Sequence, residues 1–483
     1  MSYLHFSSTS AKPHQVAADA CSLLLDVGQF VQQNPQQQDA IKHQFELLAQ
    51  ALRQQHISLR STSLDSMAVM ATEQNGAQLL ISATAVADYS GSNWLSKKLL
   101  QARTNRQLQQ LAFKLKNTID IQGKSVFIWD SCSDQPHVIK NSDFKRRVRR
   151  WHWPQHLLML FSSILVLPLA ICCIPLFKGR SKTRDLRAAI GIGVNLDKGN
   201  EQQNLVEELG VKHLIIRVYM RDIENLAAYV EFANSFNPQG DKSFLIVIVQ
   251  EREHIENPHL SAEIFKKIFT AFADISSEFQ VGTTINRLKW GFYCVEEYLA
   301  FYQQAQQVRD KGFPQLKLIG PSVIDFEYYY TVRAMFNFSN VRYDKLSALL
   351  YVDRRGGPAN KQYLFFDTKN KIRLLYALGK LSTKVKHKQI YITEVNWPIE
   401  NTAPYSPTSE KECVSLEDYC THMLEYIETA IATNMVERVY WHQLIAPGYG
   451  LVDNREGKLI KYPQFYAFKK MLAQSSSQDQ ANS

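Results

Sequence analysis

Ile390-Tyr391-Ile392-Thr393-Glu394-Val395-Asn396-Trp397-Pro398 decides how this chain is read. β-Branched and aromatic residues fit a pleated, half-buried surface, and a near-continuous apolar run suits a strand buried on both faces of a parallel sheet. The run then delivers a carboxylate, an aromatic ring and a proline that ends it. A buried parallel strand presents a Glu to the mouth of a barrel in this way. Upstream, Thr284-Ile285-Asn286-Arg287 closes another strand-like run, and it brings no carboxylate.

Working outward from Glu394, strand-like and helical runs alternate from Asp185 to Ala473. The strands are expected at Ala189–Leu196, His213–Met220, Phe244–Gln250, Phe279–Arg287, Lys317–Asp325, Ser347–Arg354, Gln389–Trp397 and Arg438–Ala446. Amphipathic helices lie between them, as at Ala262–Ile275, Glu296–Arg309 and Tyr419–Ala432, and Pro463–Leu472 closes the series. Eight β-then-α units predict an α/β (β/α)₈ TIM barrel over residues 185–475. A doubly wound open sheet is the competing arrangement. It would place Gly-x-Gly-x-x-Gly after the first strand, whereas Gly191-Ile192-Gly193 lies inside it.

In such a barrel the chemistry belongs to the C-terminal strand ends. Those ends offer Asn195 and Asp197; Arg217 and Tyr219; Gln250 and Glu251; Asn286, Arg287, Lys289 and Trp290; Asp325 and Glu327; Tyr351, Asp353 and Arg354; Glu394, Asn396 and Trp397; and Trp441, His442 and Gln443. Planar aromatic groups among amides, guanidinia and carboxylates suit a sugar, whose ring faces stack and whose hydroxyls pair. Each Trp also suits a plain core position; Trp397 and Trp441 stand out because each neighbours a polar strand-end group.

Asn286, Glu394, Trp441 and Arg217, on strands four, seven, eight and two, together resemble the large clan of retaining glycoside hydrolases built on (β/α)₈ barrels. The resemblance spans the third region, and Ile390 to Pro398 is its most specific stretch. It implies that Glu394 is the nucleophile, that Arg217 orients it, that Tyr351 touches it and that Trp441 floors the sugar site. Trp397, Asn286 and His442 join the expected substrate-binding set.

The departure from that clan is at strand four, where Asn-Glu is usual and the Glu is the general acid/base. Here Asn286 is followed by Arg287. A guanidinium stays protonated and does not serve as an ordinary acid/base at neutral pH. A retaining mechanism needs two carboxyls about 5 Å apart. Three readings stay open: another carboxylate among Glu251, Asp325, Glu327 and Asp353 replaces the acid; Arg287 clamps an anionic sugar or phosphate; or the barrel binds glycans without cleaving them. Lys289, Arg354 and Arg355 near the same rim are in keeping with an anionic ligand, and equally with solvated loop charges.

Residues 1–150 form a first region, expected to be small and mainly helical, with Gln44–Leu52 and Leu95–Lys116 as helices and Ser66–Thr72 and Ala77–Ser82 as strands. Its order resembles the C-terminal lobe of the lipopolysaccharide-core sugar kinases, and Arg103-Thr104-Asn105-Arg106 resembles part of that family's later helix. Ser61 stands where their catalytic Asp would be, and Ser82 where their metal-binding Asp would be. No Gly-rich phosphate loop or strand Lys precedes them. The resemblance therefore implies a degenerate kinase-like region without phosphoryl transfer; an unrelated small α/β domain is the other reading.

Between these regions, Leu157 to Phe177 is almost wholly apolar, and about 20 such residues suffice to span a bilayer as a helix. The net charge of +9 is concentrated on its flanks, at Lys145-Arg146-Arg147-Val148-Arg149-Arg150 and at Lys178, Arg180, Lys182, Arg184 and Arg187. A nucleic-acid patch would be basic too, but it would not bracket an apolar span. Residues 157–177 are thus expected to be a transmembrane segment, with Trp151 and Trp153 at the interface and Pro168 and Pro175 as kinks; a re-entrant segment and a buried core helix are the other readings. Two basic flanks leave its orientation open. Met1 to Gln15 is polar and has no signal-peptide pattern. Of the seven cysteines, only Cys413 and Cys420 are spaced to pair, and then only in an oxidising compartment. No Cys/His spacing fits zinc, and no cofactor is expected.

The expectation from sequence is a single-pass bacterial inner-membrane protein with its barrel on the periplasmic side, acting on a cell-envelope polysaccharide or lipopolysaccharide glycan. A catalytically inactive glycan-binding or scaffold protein is the alternative. Expected partners are a glycan, an anionic sugar included, and the lipid bilayer, with no nucleic acid.

Overall fold

A computed structural model describes residues 3–9, 17–26, 78–87 and 129–481, apart from 131, 140, 178, 180–185, 354 and 355. The chain divides into two compact units, Met1–Ile128 and Trp129–Ser483. In the first unit, Tyr3–Thr9, Ala17–Asp26 and Gln78–Ala87 form an antiparallel three-stranded sheet with Ala17–Asp26 in the middle. The expected strand at Ala77–Ser82 falls on the third of these. The helices expected at Gln44–Leu52 and Leu95–Lys116, the strand at Ser66–Thr72, and Ser61 lie outside the described residues.

The second unit is a closed parallel barrel. Its strands are β1 (Ile190–Val194), β2 (His213–Tyr219), β3 (Ser243–Val249), β4 (Glu278–Val281), β5 (Lys317–Ile324), β6 (Tyr343–Leu349), β7 (Val385–Ile392) and β8 (Val436–Trp441), each beside its sequence neighbour, with β8 closing on β1. The helices are α1 (Gln202–Leu209), α2 (Leu226–Ser235), α3 (Pro258–Phe272), α4 (Val295–Gly312), α5 (Tyr328–Met335), α6 (Thr368–Leu381), α7 (Leu416–Ala432) and α8 (Pro463–Ala481). Alternation of side chains along each strand separates two cores. Leu214, Ile216, Ile246 and Ile248 join the helices outside, whereas Ile215, Leu245, Val247, Ile319, Tyr391 and Tyr440 fill the interior. Gly191 lets the Tyr440 ring fit, since a Cβ there would meet it at 2.4 Å. Buried Lys345 joins Glu278, Glu437 and the Tyr391 hydroxyl, so the interior charge is paired.

Several ladders stop short of the runs expected from sequence. β7 ends at Ile392, two residues before Glu394, although Thr393 still donates its N–H to the Ala348 carbonyl. β4 ends at Val281, because Gly282 and Thr284 take positive φ (76° and 53°) and turn the chain out of the ladder. Asn286 and Arg287 therefore sit on a loop.

The stretch 129–150, placed by sequence with the N-terminal region, belongs to the barrel's unit. Trp129–Asp130 and Gln135–Pro136 pair as a small hairpin. A basic helix, Ser142–Trp151, follows and is capped by the Asn141 side chain, which accepts from the Phe144 N–H at 2.9 Å. The apolar helix Trp153–Cys173 comes next, and with its 3₁₀ extension to Leu176 it is long and apolar enough to cross a membrane. Cys413 and Cys420 are separate free thiols.

Candidate active site

Glu394 lies at the mouth of the barrel with both carboxylate oxygens engaged. Arg217, from the β2 end, donates Nη2–H to Oε2. Tyr351, just past β6, donates its hydroxyl to Oε1 at 2.8 Å. Two different strands thus fix one carboxylate in orientation. Burial opposes the charge of Arg217, but Glu394 and the surrounding tyrosines outweigh it, and the net shift of its pKa is upward. Burial and then the negative charge of Glu394 push the Tyr351 hydroxyl well above its ordinary range, so it remains a donor.

The strand-four position is organised differently. Asn286 donates through Nδ2 to the Ile324 carbonyl at 2.9 Å and to Glu327 Oε2 at 2.7 Å, while its Oδ1 accepts from the Ile324 N–H at 2.9 Å. Both of its N–H donors are therefore committed to protein acceptors. Arg287 donates to Glu327 Oε1 at 2.7 Å and to Asp325 Oδ2 at 2.5 Å. Burial lowers its pKa, Glu327 and Asp325 raise it more, and the guanidinium stays charged. It is already matched by two carboxylates, so a clamp on an anionic ligand would have to displace one of them.

These groups share a cavity of about 810 Å³ with Asp353, Asn396, Trp397 and His442. The cavity is lined by Asp325 and Glu327 but not by Glu251, which pairs with Arg221 at 2.9 Å. Trp397 forms part of the wall and donates its indole N–H to the Gly356 carbonyl at 3.1 Å. Trp441, expected as the floor, has no exposed surface. It stacks behind Trp397 at 6.0 Å between centroids and donates to the Tyr419 hydroxyl at 2.9 Å. Of the two rings only Trp397 lines the cavity, and it too is nearly buried; Trp441 packs into the helix-side core. His442 stacks on Tyr449 at 5.5 Å. Burial, then Arg217 and Lys198, hold its pKa well below the usual value, so the ring is neutral.

Sequence reasoning missed the contribution from ahead of the apolar helix. Asp134 accepts from Gln443 Nε2 at 2.9 Å and from the Tyr449 hydroxyl at 3.1 Å, and pairs with Lys198 at 3.1 Å. Burial raises its pKa, with Lys198 pulling the other way. Gln135 accepts from Lys289 Nζ at 2.6 Å and donates to the Pro407 carbonyl at 3.3 Å. Trp129 packs edge-on against Tyr219 and Trp290, with the Arg221 guanidinium 4.2 Å over its ring. The hairpin thus rests across the mouth, and Lys145, Arg149 and His156 extend the cavity wall. No strand-end signal marks Asp134, and a crossing apolar segment would have set it apart from the barrel. Among the described residues, no cluster of His, Cys, Asp or Glu is arranged to hold a metal ion.

No protein-family model matches the chain, and no curated protein sequence matches it. In fold it is similar to solved glycoside hydrolases. One is a family 39 enzyme from Bacteroides cellulosilyticus WH2, with 12% identity, 60% of this chain and 65% of that chain covered, and a TM-score of 0.41. Another is a GH39 β-xylosidase from Caulobacter crescentus, with 12% identity, 61% and 74% covered, and a TM-score of 0.45. A third is a family 1 β-glucosidase from Thermotoga maritima, with 10% identity, 61% and 99% covered, and a TM-score of 0.44. The chain spans 65% of the length of the first. The likeness is one of barrel architecture.

Proposed function

We propose that this is a membrane-anchored, glycoside-hydrolase-like protein acting on a cell-envelope glycan, with Glu394 as nucleophile. The observation that carries the reading is the fixing of Glu394 by Arg217 and Tyr351 inside a cavity walled by Trp397. A carboxylate so held is oriented, as attack on an anomeric carbon requires. Neutral His442, which lines the cavity, offers a hydrogen-bonding edge to a sugar hydroxyl. An acid must then come from the cavity carboxyls Asp325, Glu327 or Asp353, or the substrate must carry a leaving group that departs without protonation.

The alternative is a glycan-binding protein without turnover. The engagement of Asp325 and Glu327 by Arg287 favours it, since that guanidinium competes for the carboxyls that could supply a proton. Incubation with 2-fluoro sugars bearing an activated leaving group tests the choice, because that step needs little acid help. A glycosyl mass increment on the peptide containing Glu394, absent in Glu394→Gln, supports the enzyme. Reversible binding of glycans by the folded protein, with no increment across a broad sugar panel, supports the binder and removes the nucleophile assignment.

A further inference from the structure

We propose that the apolar helix Trp153–Cys173 does not cross the membrane but lies in the plane of one leaflet, with its barrel-facing side packed on protein and its other side on lipid. The surface it fits is a bilayer with anionic headgroups.

Sidedness carries the argument. The hairpin precedes this helix and the barrel follows it, yet the two are in contact at Asp134 with Lys198 and Gln443, at Gln135 with Lys289, and at Trp129 with Tyr219 and Trp290. The basic helix also precedes it, and Phe144 packs edge-on against Tyr293 at 5.9 Å. A single crossing would put residues 129–152 and 186–481 on opposite sides of a hydrocarbon layer about 30 Å thick. None of these contacts would then exist, and Asp134 would lose the partners that compensate its burial.

The packing of the helix agrees. Met159, Ser163 and Ala170 are buried, and Val166, Leu167, Ile171 and Ile174 pack beside them on the barrel core. Their spacing of three and four residues makes one stripe. Leu157, Leu160, Phe161, Ile164, Leu165 and Leu169 lie off that stripe and are exposed, Leu165 at 74%. The helix rests on α5 and α6.

The charge pattern fits the same geometry. Arg146, Arg147, Arg149 and Arg150 are exposed on the basic helix, and Lys178, Arg180, Lys182 and Arg184 follow the apolar segment in sequence. In sequence, basic residues flank the apolar segment on both sides, against the asymmetry usual for a crossing helix. An in-plane helix leaves the exposed arginines of the basic helix on the same side as the barrel, where an anionic leaflet attracts them. The expected single-pass topology is replaced by attachment from one side.

Asp143 and Glu224 have exposed side chains, upstream and downstream of the helix. Full-length Asp143→Cys and Glu224→Cys, each in sealed vesicles of uniform orientation, are treated with a membrane-impermeant polyethylene-glycol maleimide. Each is read as added mass over the native protein, with detergent-opened vesicles giving full reaction. Reaction of both positions from the same side is expected. Reaction from opposite sides would overturn the proposal. Either cysteine replaces an exposed side chain, so folding is preserved, and circular dichroism of each variant checks it.

Discussion

Arg287 donates to Glu327 at 2.7 Å from the loop position after β4 where the sequence resemblance leads one to expect a carboxylic acid. The same guanidinium holds Asp325, so two neighbouring carboxylates are kept together by one fixed charge. Replacing it by Met leaves them facing each other. With these groups about one-third exposed, the expected loss is on the order of 1–2 kcal/mol at neutral pH. Urea titration of Arg287→Met beside the native protein at neutral pH checks that loss.

Tyr351→Phe removes one hydrogen bond to a charged oxygen without changing the ring. Such a bond contributes about 1.5 kcal/mol, equivalent to about tenfold in rate. The rate of covalent modification at Glu394 should fall by that factor. An unchanged rate would mean that Tyr351 does not hold Glu394 in the reacting complex.

Arg217→Met should act more strongly, because it both frees Glu394 to rotate and strips that part-buried carboxylate of its counter-charge. Misplacement of a reacting group by about 1 Å can cost about 10²-fold. Arg217→Lys restores the charge but not the planar fork, so it should recover only part of the rate.

Lys371 has no exposed surface, and its ammonium has no hydrogen-bond partner among the described residues. Burial, opposed by Asp353 and other carboxylates, lowers its pKa to about 8 from 10.5. The unfolded chain then binds more protons than the folded one between these values, so stability rises with pH through that window and is reduced below pH 8. Lys371→Met should be more stable at pH 7 by on the order of 2 kcal/mol. The difference should close by about pH 10.5. Thermal unfolding of both proteins across that range checks the sign.

His254 gives the opposite end of the pH profile. Burial lowers its pKa to about 4, and its Nδ1 accepts from the Glu251 N–H at 3.3 Å, which requires a neutral ring. The unfolded chain binds the proton first as pH falls from the ordinary 6.5, so stability is lost down to about 4. His442 shifts in the same direction. His254→Asn should flatten part of that loss in equilibrium unfolding at pH 6.5 and 4.5.

The barrel was legible because apolar strand runs and amphipathic helices repeat in strict alternation, and Glu394 and Arg217 sit where that repeat ends. The ladder ends were less legible. Gly282 and Thr284 turn the chain after Val281, whereas the run to Arg287 still reads as a strand. Trp441 was read as a platform because it neighbours His442; its burial depends on Trp397 and Tyr419, which only tertiary packing brings together. Asp134 was illegible for a different reason. Its partners are Lys198, Gln443 and Tyr449, far along the chain, and a local pattern carries no record of such a meeting.

The hairpin over the mouth has a practical corollary. A fragment cut at residue 185, where the strand–helix alternation begins, would leave behind Ser133, Asp134, Gln135, Lys145, Arg149 and His156, all of which wall the cavity. It would also strip α5 and α6 of the helix that covers them. The barrel does not own its binding chamber. Whatever enters that chamber is met jointly by the repeat and by the polypeptide that leads into it, and the two have to be inherited, expressed and purified together.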